Sequence, residues 1–197
     1  MTQPKDIEII ATGITSLDQA RYFAAMGVDW MGFDIAHLPV DDVKTISEWV
    51  VGPKMFVEIH EIAEDLLFEL KDKVSLSGIC LPLDAATPSW YSGKIIRNTQ
   101  FPIPENFLKS NDDILLFRSD QMFDQKEVMD ILREICSNQR CWIEWDHHQS
   151  YQTDWLRMIP FHGIVLRYPT TGADPEEVYT QYDLFFEKIE DLRTASF

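Results

Sequence analysis

The chain has 197 residues, 45% of them hydrophobic and 25% charged, and carries a formal net charge of -16. This length suits one sizeable core, and the composition excludes disorder as the default state. A negative field of this size opposes phosphate backbones and acidic membrane surfaces, so neither nucleic acid nor membrane is an expected partner.

Short apolar runs alternate with helical patterns along the whole chain. "IEIIA" (7–11) reads as a first strand that ends at the Thr-Gly-Ile-Thr stretch 12–15. A helix follows over 16–26, with Leu17, Ala20, Phe23 and Ala24 at helical spacing, Ser16 as its N-cap and Gly27 just past its end. Strand two is 29–35, helix two 40–50, strand three 54–60 and helix three 62–72. Strand four (76–81) leads only to a short Pro-containing helical turn at 87–91, and strand five (94–98) to another short piece, "PENFLKS". Strand six (112–118) precedes a clear helix at 124–138, strand seven (141–146) a helix at 152–159, and strand eight (163–167) the last helix at 174–193. Asp174 as cap with Pro175 in the first helical position marks that last start.

Eight strand-helix units in this length predict an α/β fold closed as a (β/α)8 TIM barrel, compact, with short helices after strands four and five and one domain over 1–197. An open doubly wound sheet is the alternative that periodicity leaves. Cys80, Cys136 and Cys141 form no C-x-x-C pair, and "MTQPKDIEII" carries no signal-peptide pattern, so a reduced, cytoplasmic setting is expected.

Across the first 60 residues Ile10-Ala11-Thr12-Gly13-Ile14-Thr15, Gln19-Ala20, Gly27-Val28-Asp29 and Gly32-Phe33 follow one another in an order and spacing that resemble phosphoribosylanthranilate isomerase, a barrel enzyme of tryptophan biosynthesis. That family opens with Lys-Ile-Cys-Gly-Ile-Thr, then Asp-Ala, Gly-Ala-Asp and Gly-Phe. The resemblance implies that Thr12 occupies the place of the family's general base, a cysteine, and that Arg118 occupies the place of its general acid, an aspartate ending strand six. A threonine hydroxyl is no base near neutral pH without an activating partner, and arginine stays protonated. Asp120, two residues on, could act as acid only if its loop bends back. The family's Ser-Pro-Arg after strand two is missing from "FDIAHLPVDD". Its phosphate-binding glycine turn after strand seven is replaced by Asp146-His147-His148, while Thr171 and Gly172 after strand eight could still form a phosphate nest.

In a barrel, function lives at the C-terminal ends of the strands. Those ends here carry Thr12, Asp34, Glu58 with His60, Cys80, Arg97, Arg118, Glu144 with Asp146, and Arg167. Three readings stay open: a structural ion network capping the barrel; a site in which Arg118 and Arg167 hold a small anion while Glu58 or Glu144 acts as acid or base; and a zinc or manganese site from His60, Glu144, Asp146, His147 or His148. No H-E-x-x-H spacing favours the last, so neither metal nor cofactor is expected.

Trp49, Trp142, Trp145 and Trp155 read as packing between helix and sheet, His37 and His162 as surface residues, Cys80 as a buried small hydrophobe, and Phe185 or Phe186 as residues available to a partner. The implied function is an isomerase-like barrel that has lost the isomerase activity and serves as a pseudoenzyme or small-ligand binder, with a homodimer or a partner protein possible. The alternative is an active isomerase of tryptophan biosynthesis, or one acting on a related phosphosugar amine.

Overall fold

Eight parallel strands pair in chain order and close on themselves: β1 (Glu8–Ile14), β2 (Trp30–Asp34), β3 (Lys54–Glu58), β4 (Gly78–Pro82), β5 (Lys94–Thr99), β6 (Ile114–Phe117), β7 (Cys141–Glu144) and β8 (Gly163–Arg167). The computed structural model describes residues 7–60, 64–99, 113–118, 126–145, 159–169 and 172–194. Its described helices are α1 (Leu17–Ala25), α2 (Val40–Trp49), α3 (Glu64–Lys73), α4 (Lys126–Asn138) and α5 (Pro175–Thr194). The fold is therefore the closed (β/α)8 barrel, and the open sheet is excluded by the β1–β8 pairing, Glu8 through Thr12 against Gly163 through Arg167.

Local signals act where the sequence puts them. Ser16 caps α1 by accepting from Gln19 N–H, and Gly27 follows it at φ +74°. Asp174 accepts from Glu176 N–H at 3.1 Å where Pro175 opens α5. Between β4 and β5 the expected short helix is a single turn, Tyr91 N–H donating to Pro88 O at 3.0 Å. The pieces expected at "PENFLKS" and 152–159 lie outside the described residues.

Side-chain alternation sorts each strand into two layers. Outward residues such as Ile9, Ala11, Val57, Ile79 and Leu166 pack beneath the helices. Inward residues Ile10, Trp30, Phe56, Cys80, Ile96, Leu116, Trp142 and Val165 fill the barrel. Trp30, Phe56 and Trp142 meet with ring centroids 5.5 to 6.3 Å apart. They have room because inward Gly32 and Gly163 supply no side chain; a Cβ there would lie 2.4 Å from the Phe56 ring and 2.5 Å from the Trp142 ring. Trp142 thus fills the barrel rather than the helix-sheet layer, and Trp49, at 65% exposure, packs in neither. Trp145 does lie between sheet and helix, against Phe185 at 5.1 Å. Phe185 is buried, and Leu184 is the exposed apolar residue of that run.

Candidate functional site

β1 does not stop at Ala11. Its pairing with β2 runs Ala11 to Met31 and then Ile14 to Phe33, so one extra residue is accommodated as a bulge at Thr12-Gly13. Gly13 takes φ +73°, and a Cβ there would lie 2.6 Å from Tyr168 O, so this position needs glycine on two counts. The bulge aims the Gly13 N–H at Glu58 Oε1, 3.1 Å away, while Thr12 O accepts from Tyr168 N–H at 2.8 Å. The first strand, expected over 7–11, therefore runs on to Ile14, because the ladder resumes there.

Above the aromatic layer, the next inward positions bring polar side chains to the barrel mouth. Glu58 at the end of β3 is buried and receives Arg167 Nη2 at 2.5 Å and Arg118 Nη2 at 3.4 Å. Arg118 also donates through Nη1 to Glu144 Oε2 at 3.0 Å and through Nε to Asn98 Oδ1 at 2.8 Å. Arg167 Nε lies 3.5 Å from Glu144 Oε2 but in no hydrogen-bonding geometry, which leaves that N–H buried and unpartnered among the described residues. Asp34 at the end of β2 holds His37 Nδ1 at 3.0 Å and lies 3.5 Å from His60 Nε2. The structure thus brings Glu58, Arg118, Glu144 and Arg167 together, with Asp34 and His60 beside them.

Burial raises the Glu58 carboxyl above its ordinary range, and Arg118 and the Gly13 N–H pull against that rise. For Arg118, burial works against the charge, but Glu144 and Glu58 outweigh it and hold the guanidinium protonated. Burial also pushes the Cys80 thiol up, which makes it inert as a nucleophile and fits its reading as a small hydrophobe. Thr12 is fully buried, and its hydroxyl has no hydrogen-bond partner among the described residues. No base therefore activates it there.

Two hollows adjoin this network. One, of about 50 Å³, is bordered by Glu58, His60, Cys80, Asn98 and Arg118, and has room for little more than water. The other, of about 270 Å³, opens between the ends of β7 and β8 and the start of α5, against Trp145, Arg167, Pro169, Glu177, Gln181 and Tyr182. Of these two, the larger space lies beside the ion network.

Other expected positions fall elsewhere. Arg97 turns outward, donating to Asp113 Oδ2 at 2.9 Å, Ala85 O at 2.6 Å and Thr87 Oγ1 at 2.6 Å, so it staples the β4–β5 connection. Its inward neighbour Asn98 joins the mouth instead; counting alternation from inward Ile96 would have found it. His37 is exposed, whereas His162 is half-buried, its Nδ1 accepting from Cys141 N–H at 3.3 Å. Gly172 follows β8 at φ +76°. Asp120, Asp146, His147, His148, Trp155 and Thr171 lie outside the described residues. Among the described residues no three His, Cys, Asp or Glu side chains converge as metal ligands, and no helix is long and apolar enough to cross a membrane.

No family model and no curated protein matches this sequence. Solved structures do match. Phosphoribosylanthranilate isomerase of Thermus thermophilus superposes with a TM-score of 0.72 over 94% of this chain and 100% of that one, at 14% identity. The Thermotoga maritima isomerase gives 0.70 over 92% and 99%, at 12% identity. KGPDC of Streptococcus mutans gives 0.65 over 94% and 99%, at 8% identity. The fold is that of a phosphoribosylanthranilate isomerase-like barrel, a scaffold it shares with a differently named protein, and the fold alone does not fix a reaction.

Proposed function

We propose that this barrel does not isomerise a phosphoribosylamine and instead holds a small ligand at the C-terminal end of its strands. The observation that carries the reading is the pairing of Arg118, the residue that the sequence resemblance sets in place of the family's acid, with Glu144 and Glu58. An arginine so paired supplies no proton. Thr12, which the same resemblance sets in place of the base, has a hydroxyl that lacks any described partner able to remove its proton. Without both groups, a proton shuttle loses at least about 10²–10⁴-fold in rate.

The test is turnover of phosphoribosylanthranilate, followed as loss of its fluorescence, by the purified protein beside a Thr12→Cys, Arg118→Asp double variant. The native protein is expected to give only the background rate. Rescue by the double variant would add that a substrate pocket survives. Native turnover would overturn the proposal and direct attention to Glu58, whose carboxyl burial raises above its ordinary range.

Self-association belongs to the same proposal. The Thermotoga maritima isomerase is dimeric, and this chain leaves Trp49 and Val51 65% and 90% exposed at the end of α2. Light scattering at two concentrations, on the native chain and a Val51→Lys variant, checks it; a monomer at both concentrations overturns it.

A further inference from the structure

We infer that the cleft between the ends of β7 and β8 and the start of α5 binds a small zwitterion bearing a flat ring, of the kind represented by an aromatic amino acid. The inference rests on the proposal that this chain is a binder, and it names the site and the ligand class.

The cleft, at about 270 Å³, lies at the small end of the range for small-molecule sites. Its apolar walls are Trp145, Pro169 and Tyr182. Trp145 is backed by the Phe185 ring at 5.1 Å, and the Tyr182 hydroxyl donates to Arg167 O at 2.6 Å, which fixes α5 against β8. Both walls are therefore held by contacts within the fold, and a flat aromatic group lodged against them would gain stacking contacts.

The polar groups of the cleft are of both signs and keep binding capacity that no described residue takes up. Arg167 spends Nη2 on Glu58, but no described residue accepts from its Nη1, and its side chain is 24% exposed. Glu177 and Gln181, one helical turn apart on α5, make no hydrogen bond or ion pair with any described residue. A carboxylate can thus take the open edge of Arg167 while an ammonium takes Glu177. A simple anion suits the cleft less well. Arg167 already has Glu58 and Glu144 within 3.5 Å, Glu177 stands in the same cleft, and the whole chain carries a charge of -16. A zwitterion brings no net charge into that field.

The test is calorimetric titration of the full chain with L-phenylalanine, phenylacetate and phenethylamine, which share the ring and differ in charge. L-phenylalanine is expected to bind with a Kd below about 1 mM, and each singly charged analogue at least about tenfold more weakly. Glu177→Gln should narrow the gap between L-phenylalanine and phenylacetate. Ala173, exposed and also bordering the cleft, gives a control that leaves the ion network untouched: Ala173→Trp should fill the cleft and abolish binding without changing the thermal unfolding midpoint. Equal binding of phenylacetate and L-phenylalanine would overturn the zwitterion assignment. So would binding that Ala173→Trp leaves intact, or no binding of L-phenylalanine at all. Each of these leaves the turnover result unaffected, so failure of this site and failure of the proposed function are told apart.

Discussion

Arg118 Nη1 meets Glu144 Oε2 at 3.0 Å across the tops of β6 and β7, and the same guanidinium reaches Glu58 Oε2 at 3.4 Å. All three side chains are largely buried, so the pairing offsets desolvation more than it adds stability. Removing one partner should therefore cost more than removing two. Arg118→Met is expected to lower the unfolding free energy by about 3–5 kcal/mol, and Arg118→Met with Glu144→Leu by clearly less. Urea denaturation of the two variants decides this; a double variant at least as unstable as the single would show that the network is a net source of stability.

Thr12 leads to the opposite expectation. Its hydroxyl is buried without a described partner, and an unsatisfied polar group of this kind costs about 1–3 kcal/mol. Thr12→Val keeps the shape and removes the hydroxyl, so the melting temperature should rise or stay level. A clear fall would mean that the hydroxyl is satisfied in solution, and would reopen Thr12 as a working group.

The raised Glu58 carboxyl sets a pH dependence with a definite sign. A carboxyl whose folded value lies above its ordinary 4.5 binds its proton more tightly in the native state. Its contribution to stability is complete below that ordinary value and is lost as pH rises through the folded one. Glu58→Gln, which can still accept from Gly13 N–H, should remove this component. The stability difference between native protein and variant, measured by urea titration from pH 4 upward, should drift in favour of the variant as pH increases. A difference that drifts the other way would show that the two arginines prevail over burial.

How far the sequence carries this architecture depends on the range of the forces involved. Strand and helix periods, the Ser16 cap and the Asp174-Pro175 start are local, and they reappear wherever they fall on the described residues. The apolar run of β1 ends at Ala11 and Gly13 suggests a break; the pairing of Ile14 with Phe33 of β2, which carries the strand on, is not visible in one sequence. At the mouth, Arg118, Arg167, Glu58 and Glu144 were legible as polar strand ends. Their mutual pairing, and the swap of Arg97 for Asn98, depend on strand register across the barrel, which one sequence does not print. Trp142 was misassigned for the same reason, since inward and outward faces differ by one residue of register.

Trp142 leads to the last expectation. At the floor of the barrel Glu8 accepts from the Trp30 indole at 3.0 Å and the Trp142 indole at 3.1 Å, and pairs with Arg140 at 2.5 Å. Both indole rings are buried, so their N–H groups have little access to water if the carboxylate goes. Each orphaned donor costs about 1–3 kcal/mol, which places Glu8→Ala at roughly 2–6 kcal/mol of lost stability. Glu8→Gln retains one acceptor and should lose less. Arg140→Gln removes only the half-exposed ion pair and should cost under about 1 kcal/mol. Thermal unfolding followed by tryptophan fluorescence orders the three. If Arg140→Gln matched Glu8→Ala, the ion pair and not the twin indole bonds would be what holds the floor together.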